Sequence, residues 1–383
     1  IAFAEAIGLE VPAELARAIH QRVRAKLERE PIEDFRIDFE DGYGNRPDEE
    51  EDGHARAAAL EVAAGMANKS LPPYIGIRIK PLTEELARRA LRTLDIFVST
   101  VVRESGGALP DNFVVTLPKI TCREQIEVLC SALGELETRL GLAAGSLPIE
   151  FMIETTQSIV DADGGSNLPR FLEAAAGRCV AAHFGTYDYT ASCNITAAHQ
   201  RMTHPACDFA RHMMQVAYSG RGIWLSDGAT NIMPVPVHRA AKDGPPLTAA
   251  QQADNRRSVH EAWRLHASDI RHSLVHGYYQ GWDLHPGQLP TRYAAVYAFF
   301  LEGLPAASQR LKNFVAKAAQ ATLVGDVFDD AATGQGLLNF FLRGIGCGAF
   351  GEEEALATGL TVEELRSRSF VQILNSRRAR GGS

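Results

Sequence analysis

"FMIETTQSI" (residues 151–159) begins as a buried strand and stops on a charge. Phe151, Met152 and Ile153 end an apolar run that starts near Pro148, and Glu154 stands where the run breaks. A strand covered on both faces reads as such a run, so the carboxylate falls at the C-terminal edge of a sheet. Thr155, Thr156 and Gln157 follow at once. They are candidates for hydrogen bonds around a bound substrate, with helix capping as the plainer reading.

The same pattern recurs outward from this stretch. "FRIDFED" (35–41), "YIGIRIKP" (74–81), "FVVTLPKI" (113–120), "PIEFMIET" (148–155), "CVAAHFGTYDY" (179–189), "GIWLSDG" (222–228) and a weaker "GWDLHPGQ" (281–288) all read as strands. Helical spacing fills the intervals at 83–102, 122–141, 168–177 and 205–220. The residues closing successive strands are Asp38, Arg78, Leu117, Glu154, Asp188 and Asp227, at steps of 40, 39, 37, 34 and 39 residues. Regular βα units of that size predict an α/β fold, a (β/α)8 TIM barrel, ahead of a doubly wound sheet. No G-x-G-x-x-G follows the first readable strand, which counts against a dinucleotide-binding sheet. Seven strands are readable; the eighth, the barrel's first, is expected before residue 1 or within the opening segment. Residues 237–280 form an enlarged late connection with a long helix. The expected organisation is a catalytic barrel over 1–289 and a helical C-terminal extension over 290–383, with a Gly-rich turn at 343–354.

Composition narrows the function. The chain has 383 residues, 45% of them hydrophobic, and a formal net charge of -8. That balance argues against a general nucleic-acid surface. The basic cluster Arg377, Arg378 and Arg380 reads as a frayed, solvated tail. Six cysteines without a CxxC pair read as free thiols in a reducing cytoplasm. No apolar run approaches the ~20 residues that span a bilayer, and residues 1–30 read as an amphipathic helix, not a signal peptide. The opening "IAFAEAIGLE" lacks Met, so the native chain is expected to begin earlier.

In a barrel the strand ends converge on one mouth. They would bring together Asp38, Glu40, Asp41, Arg78, Lys80, Lys119, Glu154, His183, Asp188, Asp227 and His285. Any one of these is ordinarily a strand end meeting water; so many in register point to one polar mouth. Glu154 and Asp188, one βα unit apart, make a hard oxygen site suited to Mg²⁺, with Mn²⁺ as a substitute. The competing reading is an ion pair of Glu154 with Arg78 or Lys119. Arg78 can grip a carboxylate with two parallel hydrogen bonds, or pair with Glu40 or Asp41. Lys80 raises a Schiff-base aldolase, ranked well below the metal route. His183 is a core histidine or a base. "DEEED" (48–52) reads as a solvated helix start.

The ordered set of motifs resembles the HpcH/HpaI aldolase and citrate lyase β-subunit superfamily, as a divergent branch. "IDFEDGYG" (37–44), "GIRIKP" (76–81), "TLPKI" (116–120), "EFMIET" with "FGTYDYTA", and "LHPGQ" (284–288) carry the resemblance, with Lys80 where Asn is usual. It implies a Mg²⁺-dependent TIM-barrel carbon–carbon lyase, usually oligomeric, here expected as a trimer or hexamer. Substrates would be 2-oxo acids or 3-hydroxy-acyl (CoA) thioesters such as malyl-CoA. Glu154 and Asp188 would be metal ligands. Arg78 would hold the substrate carboxylate or the forming enolate oxygen, and Asp38, Glu40 and Asp41 would support Arg78 or a metal-bound water. Two other functions are weighed: a metal-dependent thioester hydrolase on the same barrel and, less favoured, a non-catalytic binding protein. The insert after Gly42, the 237–280 connection and the long C-terminal part depart from the small citrate lyase subunit.

Overall fold

The computed structural model describes residues 2–242, 244–316, 322–324, 327–329 and 331–381. The chain divides into two compact units, one built from Glu30–Asn231 with Gln280–Leu284, the other from Ile1–Arg29, Ile232–Tyr279 and His285–Ser383.

The first unit is built on a sheet. Its strands are β1 (Asp34–Asp38), β2 (Tyr74–Arg78), β3 (Phe113–Leu117), β4 (Ile149–Ile153), β5 (Cys179–Phe184) and β6 (Trp224–Ser226). They are parallel and lie side by side in chain order. The register sets Asp38 beside Arg78, Arg78 beside Thr116, and Thr116 beside Glu150. Side chains alternate across a strand, and here the alternation divides by chemistry. Ile75, Ile77, Val115, Phe151 and Ile153 join Leu94, Phe97 and Leu129 of the intervening helices in one apolar core. The alternate positions, Arg36, Asp38, Arg78, Thr116, Glu150, Met152 and His183, bond to one another or to neighbouring strands on the other face.

All six strands before residue 230 form where the sequence places them, as a curled parallel sheet of the TIM-like kind. The barrel does not close among the described residues. "GWDLHPGQ" is reduced to a single parallel bridge, Asp227 with Gly281. Pro286 lacks an N–H for a ladder, and the segment turns into a 3₁₀ helix at Pro286–Gln288 instead. The opening segment supplies no described strand either; it forms helices Ala2–Ala6 and Ala13–Arg29.

"DEEED" is only partly a solvated helix start. It opens helix Asp48–Asn68, but Glu51 is fully buried, ion-paired with Lys80 at 2.7 Å and near Arg89, and it accepts a hydrogen bond from Thr93 at 2.6 Å. A 3.6-residue repeat turns one residue in four of an acidic run toward the core.

The second unit is mainly helical around its own apolar core, which includes Ile19, Phe300, Leu311 and Phe341. Helix Ala249–Val275 is the long helix expected in the late connection, and a Thr248–Gln251 capping box starts it. Helix Leu289–Ala316 follows, then an antiparallel pair, Thr322–Val324 with Val327–Asp329, which interrupts the expected all-helical extension. The tail is not frayed: Phe370–Gly381 is helical, and Arg377 donates two hydrogen bonds to Glu364, at 2.6 and 2.7 Å. The side chains of Arg378 and Arg380 lie outside the described residues. The six cysteines are unpaired thiols. Among the described residues no helix is long and apolar enough to cross a membrane.

Candidate active site

The polar face of the sheet is built in layers. At its floor, Arg36 of β1 reaches across to Glu150 of β4, donating at 3.0 and 3.1 Å, and Thr116 donates to the same carboxylate at 2.7 Å. Each charge is paired and bonded, as burial demands. Gly76 lies beneath this layer because a Cβ there would strike Val114 and the Arg36 stem.

One layer up, Arg78 ends β2. Its Nε and Nη2 donate to the two oxygens of Asp38 at 2.7 and 2.6 Å, and its Nη1 lies 3.2 Å from Glu40. The Trp282 ring lies 5.2 Å from the guanidinium and stacks on His183 at 3.9 Å. Asp38 also accepts the backbone N–H groups of Glu40 and Gly42, both at 2.9 Å. Burial alone would raise Asp38, but the Arg78 hydrogen bonds and charge hold it below the ordinary carboxylate range. His183 bonds through Nδ1 to Ser226 at 2.9 Å. Burial first, then the charges of Arg78 and Arg36, keep it well below an ordinary histidine and therefore neutral.

At the rim, Glu154 is 1% exposed. Its Oε1 accepts the backbone N–H of Lys119 at 2.7 Å. Burial, and next the Asp188 charge, raise its carboxyl to about 8. Oε2 lies against Gly185: a Cβ on that glycine would sit 2.6 Å from the Glu154 Cβ and closer still to Oε2. Gly185→Ala is therefore expected to destabilise the fold by about 1–3 kcal/mol through overpacking, read as a lower urea midpoint. An unchanged midpoint would mean that Glu154 has room to move. Asp188 is partly exposed, with Lys119 Nζ 3.6 Å away. It stands not at a strand end but in the first turn of helix Thr186–Ser192, after Gly185.

Lys119 links these groups. Its ammonium donates to Glu40, and to Asp41 at 2.7 Å. Glu40 is buried, and that burial, offset in part by Lys119 and Arg78, holds its carboxyl above the ordinary range. Asp41, largely exposed, is held below it by its hydrogen bond and ion pair with Lys119, which outweigh a partial loss of solvent.

The structure thus brings Asp38, Glu40, Asp41, Arg78, Lys119, Glu154, His183 and Asp188 to one face and end of the sheet. It does not bring Lys80 or Asp227 there. Lys80 turns away to Glu51 and the carbonyl of Phe39, and Tyr43 covers it. Asp227 is fully buried against Arg211, which donates to it at 2.9 and 3.1 Å. His285 belongs to the other unit and caps the Pro286–Gln288 turn. The proposed ion pair of Glu154 with Arg78 or the Lys119 ammonium gives way to a backbone N–H. For Thr155 the capping reading holds: its Oγ1 accepts the Ser158 N–H at 3.1 Å and donates to the Ile120 carbonyl at 2.6 Å. Thr155→Ala should cost about 1 kcal/mol in denaturant unfolding, most of it recovered by Thr155→Ser.

Sequence reasoning misses Arg36, Glu150 and Trp282, whereas the turn that holds Gly185 is part of the Gly-x-x-Asp pattern before Asp188. Arg36 and Glu150 share the period-two face of Asp38 and Glu154, and that signal could have found them. Trp282, on a segment distant in the chain, carried none.

Glu154 and Asp188 could hold a divalent cation. A buried carboxylate, kept protonated up to about 8 beside a second carboxylate, is a donor set that a hard cation relieves. Two such oxygens suit Mg²⁺ that keeps waters, and they lack the sulfur or imidazole of a zinc site.

An open-faced α/β sheet of the barrel-like class, with charged groups gathered at its strand ends, thus defines the protein. The chain belongs to the family described as domain of unknown function (DUF6986), which it matches over residues 1–373. No curated protein matches it. Among solved structures it is similar to a citrate lyase from Burkholderia xenovorans LB400, at 18% identity and a TM-score of 0.60, over 89% of this chain and 92% of that one. It also matches a malate synthase from Haloferax volcanii in a lead(II) complex, at 15% identity and a TM-score of 0.47, over 91% and 94% of the two chains. The first of these shows the fold to be shared.

Proposed function

We propose that the protein is a Mg²⁺-dependent carbon–carbon lyase that cleaves or forms a bond next to a carbonyl, in a 2-oxo acid or a 3-hydroxy-acyl thioester. The observation that carries this reading is the buried Glu154 carboxylate beside Asp188, on the same rim as a guanidinium already fixed in place. The fold shared with a citrate lyase supports it.

Glu154 and Asp188 would hold the cation, which when bound would polarise substrate oxygens and stabilise enolate charge. Arg78 supplies a second positive charge at that end of the sheet. Asp38 fixes its planar fork with two hydrogen bonds, so little reorganisation is needed as charge develops nearby. Glu40 bonds both Arg78 and Lys119 and so sets the spacing of the two cations. Neutral His183, with Trp282 stacked on it, keeps a further positive charge out of the floor. In the cleavage direction a general base takes the proton of the substrate hydroxyl, and that oxygen becomes the carbonyl of one fragment. The electron pair of the C–C bond moves to the carbon beside the carbonyl, and the resulting enolate is protonated. This reading includes a cytoplasmic homo-oligomer.

Incubation with Mg²⁺ and a panel of 3-hydroxy-acyl thioesters and 4-hydroxy-2-oxo acids, with products read by mass spectrometry, tests it. A pair of carbonyl fragments is expected. Release of an intact free acid with no fragment pair would overturn the lyase reading in favour of thioester hydrolysis.

A further inference from the structure

Lys119 touches both halves of the site. Its backbone N–H holds Glu154 Oε1 at 2.7 Å. Its ammonium meets Glu40, meets Asp41 at 2.7 Å, and lies 3.6 Å from Asp188. The backbone that allows this is unusual: Lys119 has φ 50°, the left-handed region that a non-glycine residue enters at a cost of about 1–3 kcal/mol. The hydrogen bond from its N–H to Glu154 holds that turn. A strained residue held at a site, with its side chain directed into a carboxylate cluster, invites a functional account.

Electrostatics supplies one. Glu40, Asp41, Glu154 and Asp188 bring four carboxyl groups to one rim. Arg78 faces Asp38 and Glu40, and the ammonium of Lys119 is the positive charge set against Asp41 and Asp188. We propose that Lys119 is the resident counter-cation of this rim, and that a divalent cation entering between Glu154 and Asp188 competes with it for Asp188. On binding, Asp188 passes from Lys119 to the metal, while Glu40 and Asp41 retain the ammonium. Lys119 would then stand beside the bound cation as a positioning residue, holding Glu154 through its backbone and weakening metal affinity through its charge. Metal would bind loosely alone and more tightly once an anionic substrate offsets the Lys119 charge, an order of binding built into the rim.

This inference rests on the metal assignment of Glu154 and Asp188, and the test separates the two. Mn²⁺ binding to the metal-free full chain is measured by calorimetry for the wild type, Lys119→Met, Lys119→Gln and Lys119→Arg, each first shown to be folded by circular dichroism. Met and Gln keep the backbone N–H and lose the charge. They are expected to bind Mn²⁺ on the order of ten-fold more tightly, with the difference shrinking as salt is raised. Arg keeps the charge and should bind as the wild type does. The neutral variants should also melt lower than wild type without metal and gain more melting temperature when Mn²⁺ is added. Unchanged or weaker Mn²⁺ binding by folded Met and Gln variants, beside clear binding by the wild type, would overturn the role of Lys119 and leave the metal site standing. Absence of Mn²⁺ binding in every variant and the wild type would overturn the metal reading, and this inference with it.

Discussion

Replacing Glu154 by Gln is expected to lower metal-dependent activity by about 10²–10³-fold, the usual effect of losing one well-placed electrostatic contact. It should also make the metal-free protein more stable above neutral pH. Both effects follow from the same burial. The folded carboxyl titrates near 8 where an ordinary glutamate titrates near 4.5, so the folded protein keeps a proton that the unfolded chain releases. Between those values the wild type loses stability as pH rises, and the full loss is in place above about 8. Gln has no proton to lose and nearly the same shape. The variant's advantage should therefore be small at pH 4.5 and grow to roughly 2–4 kcal/mol by pH 8.5, read from denaturant midpoints in chelator. Added Mn²⁺ should reverse the order, because it stabilises only the chain that binds it. Wild-type Mn²⁺ affinity in Glu154→Gln would remove this residue from the metal site. A difference that stays flat with pH would show that the carboxyl is not buried as described.

Arg78→Ala has the second large effect, on stability and on rate together. Arg78 is 8% exposed and ties Asp38 to Glu40. Its removal leaves two carboxylates facing each other with one cation fewer. Breaking a buried pair from one side costs about 3–5 kcal/mol; the partial exposure of Asp38 moves the expectation to the lower end. Activity should fall by about 10²–10³-fold as well. Arg78→Lys separates the two roles. It restores a charge and part of the stability, but an ammonium cannot bond both Asp38 oxygens in one plane, so the rate should stay low. The pH dependence carries a second signature. Asp38 is held below its ordinary range by Arg78, so its contribution is present above that range and fades as pH falls through the folded value. Arg78→Ala should therefore lose most stability near pH 7 and least near pH 3. A variant with wild-type turnover would show that Arg78 is a structural tie and no more.

The strands were legible in the sequence because the central ones, β2 to β5, are apolar runs buried on both faces, and most runs are followed within a few residues by a polar one. Two independent signals, apolar runs and regular spacing, agreed on the same six places. The seventh was misread because an apolar run does not report whether a neighbour will accept its ladder; at 281–288 Pro286 and the bend after Gly281 decide otherwise. The site was half legible. Strand-end position found Asp38, Arg78, Glu154 and His183, but pairing is a property of three dimensions. Arg78 and Asp38 lie 40 positions apart, and nothing local says that Asp38, not Asp41, is the partner. Asp227 shows the opposite failure: a strand-end acid was assigned to the mouth, yet Arg211 claims it in the interior. Glu51 was hidden by its neighbours, since a run of acids gives no sign of which one turns inward.

The bridge between Asp227 and Gly281 bears on how the protein is made. Residues 30–231 leave the ribosome as one continuous stretch carrying all six strands, Arg78 and His183. Trp282, which stacks on His183 and covers the Arg78 guanidinium, is synthesised about fifty residues later. At ~5–20 residues per second the nascent sheet waits some seconds for it. In that interval His183 and the Arg78 guanidinium are without the ring that lies against them. Docking of that five-residue segment is thus the step that covers them, and chains stalled before residue 282 would carry the acids and the arginine without that ring.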